Sequence, residues 1–483
     1  MSNEELLAMS ITELAPLIAQ RKVSPVEVTQ AALDRAETLG PRLASIITLT
    51  KDEALARAKA REKDIATGGY RGPLDGIPIS VKDNIATGGI RTTLGVKVFD
   101  QNVPDEDAFA VARLKDAGAV IIAKDNLHEL AGGNTTNNPW YGRARNPWNL
   151  ECSPGGSSGG TGANVSARIS FAGIGTDSGG SVRNPSAQCG LFGLKATAGR
   201  VSTRGLLGTS NTNDYIGPIA RTPRDVAYMM QALAGYDMLD PISVPVPVPD
   251  FTEKMGQSLK GKRVAIPTNF YFDYCDDEVE ANFWKSIEEL EKLGVQTERV
   301  FFPMLEHADI MRVIGTAEAP VTFEPYLLEQ RENISKEART RHLGGQFVLA
   351  RDYIKATRVQ YLVRQEYLKA LQQFDMIMAP SRNVPATPPG AKVTIKGVEY
   401  DPSAPGRIVI GHNLFICNMT GLPSLAAPTG FTKIGLPTGL LFIGRPFDEP
   451  TLLQAAQFWD EVRPDRDRIP PVLMGEPVAA PAD

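Results

Sequence analysis

Residues 152–190 read CSPGGSSGGTGANVSARISFAGIGTDSGGSVRNPSAQCG and form the part of the chain that is richest in glycine and serine. Glycine pairs stand at Gly155–Gly156, Gly159–Gly160 and Gly179–Gly180. Glycine loses more conformational freedom on folding than any other residue, so such a density needs a structural reason. Three interpretations fit the composition: a flexible linker, a phosphate-binding loop, or the surroundings of a nucleophilic serine.

The first two interpretations fail on the segment itself. Its middle part, ISFAGIG at residues 169–175, is an apolar strand candidate, and flexible linkers do not contain one. A phosphate-binding loop of the Walker type needs a lysine directly before its serine or threonine, and GGSSGGTG has none. The segment is therefore predicted to surround a catalytic serine.

Two kinds of base could serve such a serine. GGSSG matches the G-x-S-x-G elbow of α/β-hydrolases at Ser157 and Ser158, with His412 as the least implausible histidine. That elbow follows a strand, whereas residues 145–154 (RNPWNLECSP) contain two prolines and no apolar run. The other candidate base is Lys82, which ends the apolar stretch IPISVK, where burial favours a neutral amine.

Around this segment, strand patterns alternate with helix patterns. Strands are predicted at 77–82, 119–123, 169–175, 263–267, 295–302, 374–379, 424–427 and 438–443, and helices at 107–117, 277–293 and 451–462. This alternation predicts one large α/β domain with a central mixed, largely parallel sheet covered by helices on both faces. The expected divisions are an N-terminal helical segment at 1–70, a catalytic domain at 71–462 with a helical pocket-lining region at about 303–370, and a tail at 463–483.

Composition narrows the class of protein. The net charge of −5 gives no basic surface for nucleic acid or an anionic membrane, and no apolar run is long enough to span a bilayer. The N-terminus lacks a signal-peptide pattern. The four cysteines lie far apart without a CxxC pair, which is typical of free thiols in a reducing compartment. We expect a cytoplasmic enzyme without metal or cofactor.

Three blocks of this sequence together resemble the amidase signature family. They are Lys82 within PISVKDNI, then PGGSSGG at 154–160, then GTDSGGSVRNPSAQCGLFGLKATAGR at 175–200. The resemblance extends from about residue 10 to 462. It departs at Ala196, where the family usually has proline, and at Ser178, where threonine is common. The resemblance implies hydrolysis of a C–N bond through a serine acyl-enzyme.

The resemblance also implies a role for each matching residue. Ser181 is the nucleophile, Ser157 is a bridging serine held by a cis peptide bond, and Lys82 is the base. The oxyanion is expected to bind backbone amides of Ser178, Gly179, Gly180 and Ser181. The residues that support this loop are expected to be Ser158, Asp177 and Arg183.

Two members of the family remain as interpretations. The expected one is a self-sufficient monomer or homodimer that hydrolyses non-peptide aryl or alkyl amides, with carbamates and esters as further substrates. Its pocket is expected to be apolar and lined by Leu130, Gly132, Trp140, Phe323 and Tyr326. The alternative is the amidase subunit of a tRNA-dependent amidotransferase, which delivers ammonia to a partner. That subunit usually carries a segment like SSNLARFDGVRYG, and residues 314–333 (IGTAEAPVTFEPYLLEQREN) lack it.

Overall fold

The computed structural model describes residues 1–402 and 409–475. The strands within them are β1 (Ile46–Leu49), β2 (Pro78–Lys82), β3 (Val120–Asp125), β4 (Asn137–Asn138), β5 (Gly142–Arg143), β6 (Ala172–Asp177), β7 (Phe192–Lys195), β8 (Tyr215–Ala220), β9 (Arg263–Pro267), β10 (Gln296–Val300), β11 (Met376–Pro380), β12 (Val393–Ile395), β13 (Val398–Tyr400), β14 (Ser424–Phe431) and β15 (Pro437–Ile443).

The helices of the same residues are α1 (Asn3–Ala8), α2 (Ile11–Ala19), α3 (Pro25–Leu43), α4 (Lys51–Ala66), α5 (Phe109–Asp116), α6 (Gly159–Ser166), α7 (Arg183–Cys189), α8 (Pro223–Leu233), α9 (Asp277–Lys292), α10 (Arg312–Glu329), α11 (Lys336–Gly345), α12 (Ala350–Gln373), α13 (Ile416–Thr420) and α14 (Glu449–Val462). None of these helices has the length and apolar content needed to cross a membrane.

Eleven strands form one mixed sheet in the order β1-β3-β2-β6-β8-β7-β14-β15-β11-β9-β10. This confirms the predicted α/β class with a mixed central sheet. Among these eleven strands, parallel pairs occur only in β3-β2-β6 and in β11-β9-β10, and the strands between them are antiparallel. The sheet is therefore less parallel than expected. One of the antiparallel pairs follows from its connection, because the short turn from β14 to β15 can join only antiparallel strands.

Three strands of the eleven-stranded sheet were not predicted, for local reasons. The strand β1 lies inside the segment expected to be helical, where it pairs antiparallel with β3 at the sheet edge. Its four half-buried residues between two helices give too short a pattern to separate from a loop. The strands β7 and β8 carry glycine or proline inside them, which weakens a strand signal.

The topology brings two chemically important strand ends together. The strands β2 and β6 are parallel neighbours, with Val81 opposite Ile174, and every residue of both strands is buried. Parallel strands end at the same edge of a sheet, and ligands collect at the carboxyl ends of such strands. Lys82 and Asp177, the last residues of β2 and β6, therefore lie at one edge, where the loop that holds Ser181 begins.

Candidate active site

Lys82 is enclosed at the end of β2 and contacts two hydroxyl groups. Its side chain is fully buried, and Nζ lies 2.7 Å from Ser157 Oγ and 2.6 Å from Thr176 Oγ1. Burial lowers the pKa of Lys82 from its ordinary 10.5 to about 7, although the charges of Asp214 and Asp177 oppose that shift. At neutral pH a large fraction of this amine is therefore neutral and able to accept a proton from Ser157.

Ser157 is held in a tightly packed turn before α6. The Gly156–Ser157 peptide bond is cis, and Ser157 is 1% exposed. A Cβ atom on Gly156 would lie 2.7 Å from the backbone nitrogen of Thr135, and one on Gly160 would overlap the carbonyl oxygen of Asn126. Side chains at these two positions would collide with backbone, so part of the glycine density is explained by close packing around Ser157.

Ser158 connects the same turn to the end of β6 by two hydrogen bonds. Its Oγ donates to the carbonyl oxygen of Thr176 at 3.2 Å and accepts from the amide of Thr176 at 3.2 Å. Thr176 also contacts Lys82 through its side chain. Ser158 and Thr176 therefore link the two segments that carry Ser157 and Lys82.

Asp177 organises the turn that carries Ser181. Its carboxylate accepts from the backbone amides of Gly180 at 2.7 Å and Val182 at 3.0 Å, and from Arg183 Nη2 at 2.9 Å. Burial opposes ionisation of this carboxyl group, but the charge and hydrogen bonds of Arg183 outweigh burial and hold its pKa below the usual range. The buried ion pair and the amide contacts fix the loop geometry.

The oxyanion site differs from the expectation in one respect. The amide of Gly180 donates to Asp177, so it is not available to a substrate oxygen. Gly180 has a φ of +113°, and a Cβ there would lie 2.5 Å from Leu414 Cβ. The amides of Gly179 and Ser181 donate to no acceptor within the described residues. These two remain candidate oxyanion donors, together with that of Ser178.

Ser181 opens into a cavity of about 840 Å³. Ser181 itself is 9% exposed, and Gly156, Ser178 and Gly179 line the same cavity. The lining carries more charge than the expected apolar pocket, since it includes Arg312, Glu337 and Arg341 together with the apolar Leu414, Phe415 and Met419.

Of the five residues expected to line the pocket, Gly132 lies on this cavity wall. Leu130 and Phe323 are instead buried in an apolar cluster beside the main core, and Trp140 and Tyr326 pack against that cluster. Large apolar side chains gain more free energy from mutual burial than from lining a water-filled cavity. The charged residues on α11 were not predicted to line the pocket because charged side chains are typical of any solvated helix.

The histidine alternative finds little support in the geometry. His412 is buried, its Nε2 lies 2.7 Å from the carbonyl oxygen of Phe270, and its ring packs against Tyr274. Burial lowers its pKa. The residues directly before Ser157 form a loop and not the strand that an elbow requires. His412 is not among the described residues that line the cavity of Ser181.

Comparison with known proteins gives consistent matches over nearly the whole chain. The family model Amidase matches residues 27–453. A glutamyl-tRNA(Gln) amidotransferase subunit from Geobacter metallireducens is 37% identical, covering 95% of this chain and 98% of that protein. A solved chain from a vestigial protein complex related to the origins of an s-triazine catabolic enzyme superposes with a TM-score of 0.89 at 28% identity, covering 94% and 98% of the two chains. A bacterial aryl acylamidase superposes with a TM-score of 0.85 at 26% identity, covering 94% and 96%.

Proposed function

This chain belongs to the amidase signature family, and we propose that it cleaves a C–N bond through an acyl-enzyme on Ser181. The observation that carries the proposal is the buried contact between Lys82 Nζ and Ser157 Oγ at 2.7 Å. Within the described residues Lys82 pairs with hydroxyl groups and with no carboxylate, and Ser157 lies beside the wall of the cavity that Ser181 lines. Such a lysine is suited to proton transfer.

The proposed reaction begins with neutral Lys82. It takes a proton from Ser157, Ser157 takes one from Ser181, and Ser181 Oγ attacks the substrate carbonyl carbon. The amides of Gly179 and Ser181 stabilise the oxyanion that forms. Lys82 returns its proton through Ser157 to the leaving nitrogen, so the C–N bond breaks and the amine departs. Water then attacks the acyl-enzyme by the same proton route and releases the acid.

For the substrate, the similarities favour the alternative over the self-sufficient hydrolase. The match to the relative from Geobacter metallireducens covers 98% of that protein, which is one subunit of an amidotransferase and so acts with partner chains. Glu337 lines the cavity and pairs there with Arg341 at 3.0 Å, so a negative charge that could meet the α-ammonium group of a free amino acid is present. We therefore propose the side-chain amide of glutamine as the first substrate to test, with further subunits as partners.

A second candidate rests on two observations. The segment at 314–333 lacks the sequence usual in the amidotransferase subunit, and Leu414, Phe415 and Met419 give the cavity an apolar wall. A self-sufficient amidase for aryl or alkyl amides is compatible with both. The aryl acylamidase with a similar structure supports this candidate.

One experiment separates the candidates. The purified chain is assayed on glutamine, p-nitroacetanilide and an aryl carbamate, with Ser181→Ala as the blank for each. Turnover of glutamine, or activity that appears only with partner subunits, supports the amidotransferase interpretation. Turnover of the anilide or carbamate by the isolated chain supports the self-sufficient amidase. Turnover that survives in Ser181→Ala contradicts the proposed chemistry.

A further inference from the structure

A small recess in the cavity wall is left open because residue 411 is glycine. A Cβ atom on Gly411 would lie 3.7 Å from Asn134 Nδ2, 3.8 Å from Arg382 Nη1 and 3.9 Å from Leu414 Cδ1. Gly411, Asn134 and Leu414 all line the cavity that contains Ser181. We call this space the Gly411 notch. Two of its three walls are nitrogen donors.

Arg382 brings a positive charge to the notch, and no described residue supplies a matching negative charge. The residue is 5% exposed, and its one hydrogen bond within the described residues runs from Nη1 to Asn184 Oδ1 at 2.7 Å. The Nε atom of Arg382 has no hydrogen-bond partner among the described residues. Burial lowers the pKa of Arg382 to about 10, so the guanidinium is still charged at neutral pH. A buried charge without a counter-ion is costly, which points to a partner supplied from outside the chain.

The notch is rigidly held. Asn383, next to Arg382 after β11, accepts from the amide of Gly411 at 2.7 Å and donates to the carbonyl oxygen of Val409 at 2.9 Å. On the other side, Asn184 donates to the carbonyl oxygen of Asn134 at 3.1 Å. The two donors are themselves held, because Arg382 Nη1 donates to Asn184 Oδ1 at 2.7 Å and Asn134 Nδ2 donates one of its two hydrogens to the carbonyl oxygen of Ile410 at 3.5 Å. Each nitrogen has a further hydrogen for a ligand, and this preorganisation lowers the cost of binding one.

We propose that the Gly411 notch binds a carboxylate of the substrate, so that Arg382 selects amides that carry a second, anionic group. The inference rests on the proposed amidase activity at Ser181 and adds the chemical class of its substrate. A guanidinium and a carboxamide NH₂ both donate, so an acceptor with negative charge fits between them. An ammonium group there would face two donors, and a substrate amine must lie elsewhere in the cavity.

The test compares amides of equal length with and without the carboxylate. The monoamides of succinate and glutarate are measured against butyramide and valeramide, and the readout is the ratio of kcat/KM within each pair. A lost hydrogen bond to a charged group corresponds to a fall of about 10- to 100-fold in that ratio for Arg382→Met. Arg351→Met, an exposed arginine on α12, is the matched control and keeps the wild-type ratio.

A binding measurement makes the inference independent of turnover. Succinate monoamide is titrated calorimetrically into Ser181→Ala and into the double variant Ser181→Ala, Arg382→Met, and we expect binding to the second to be weaker by about tenfold or more. Unchanged binding and an unchanged ratio overturn the inference. An equal loss of kcat/KM on charged and neutral amides also overturns it, because Arg382 would then act through Asn184 on the carbonyl of Gly156, which Asn184 holds at 2.9 Å. If the wild-type protein turns over none of the four amides but Arg382→Met still weakens the binding of succinate monoamide, the proposed activity is wrong and the anion site is supported.

Discussion

Lys82 Nζ lies 2.7 Å from Ser157 Oγ at the end of a strand whose residues are all buried. This one contact bears on both the chemistry and the stability of the site. Burial deprives the ammonium of water, which disfavours the charged form of Lys82. The amine that is useful as a base therefore also destabilises the fold.

Turnover should rise with pH. The base must be neutral, and the pKa of Lys82 is about 7, so kcat/KM should increase through that value and level off above about pH 8. The measurement is a profile of kcat/KM from about pH 5 to about pH 9 on a substrate that does not titrate in this range. A profile that is flat down to the acid end, or that has an acidic optimum, would rule out Lys82 as the base.

Lys82→Met should stabilise the protein while it removes activity. The pKa in the folded protein, about 7, is below the ordinary value of 10.5, so between these values the unfolded chain binds a proton that the folded chain does not. Stability of the wild type therefore rises with pH in this window, and the penalty is largest below about pH 7. The gain in Tm for Lys82→Met should be larger at about pH 6 than at about pH 9. A gain in Tm that is the same at both pH values would contradict the lowered pKa of Lys82.

Substitution of each of the three proposed catalytic residues should lower kcat, but by different amounts. Ser181→Ala should abolish acyl-enzyme formation, whereas Ser157→Ala and Lys82→Ala should each lower kcat by several orders of magnitude and leave the nucleophile in place. His412→Asn should retain activity, because its ring nitrogen contacts a backbone carbonyl and not the cavity. Each rate is divided by the concentration of folded protein, which is determined by circular dichroism. An inactive His412→Asn with an active Ser181→Ala would restore the α/β-hydrolase interpretation.

Asp177→Asn should destabilise the fold strongly. It leaves Arg183 fully buried without its counter-ion, and breaking a buried pair in this way costs about 3–5 kcal/mol. Urea unfolding measures the free energy of unfolding. The control is Glu289→Gln, which breaks an exposed pair with Lys292 and should change stability little. Equal effects from the two variants would show that Asp177 does not anchor the loop of Ser181.

The sequence predicts features that depend on local pattern. The strands β2 and β3 appear within one or two residues of their predicted positions because apolar runs bounded by glycine, proline or asparagine have few alternatives. The position of the catalytic serines could be predicted from the Gly/Ser segment, because close packing around Ser157 leaves no room for a Cβ at Gly156 or Gly160 and so requires glycine there.

Features that depend on contacts between distant segments could not be predicted. The amide of Gly180 is occupied by Asp177 only because the turn after β6 folds back on itself. Leu130 and Phe323, far apart in the chain, share an apolar cluster that neither local pattern indicates. Arg382 lies in the stretch SRNVP, which matches no known motif. Its lack of a counter-ion among the described residues depends on the distant residues Asn184 and Gly411 that the fold places beside it.

Acylation of Ser181 is central to the proposed chemistry, and peptide mapping tests it directly. Trypsin cleaves after Arg168 and Arg183, so ISFAGIGTDSGGSVR (169–183) separates Ser181 from Ser157 and Ser158, which lie in 146–168. The protein is quenched in acid during turnover of an activated ester or anilide, digested and analysed by mass spectrometry. We predict the acyl mass on 169–183, assigned to Ser181 by fragmentation and absent from Ser181→Ala. Acyl mass on 146–168 would contradict Ser181 as the nucleophile.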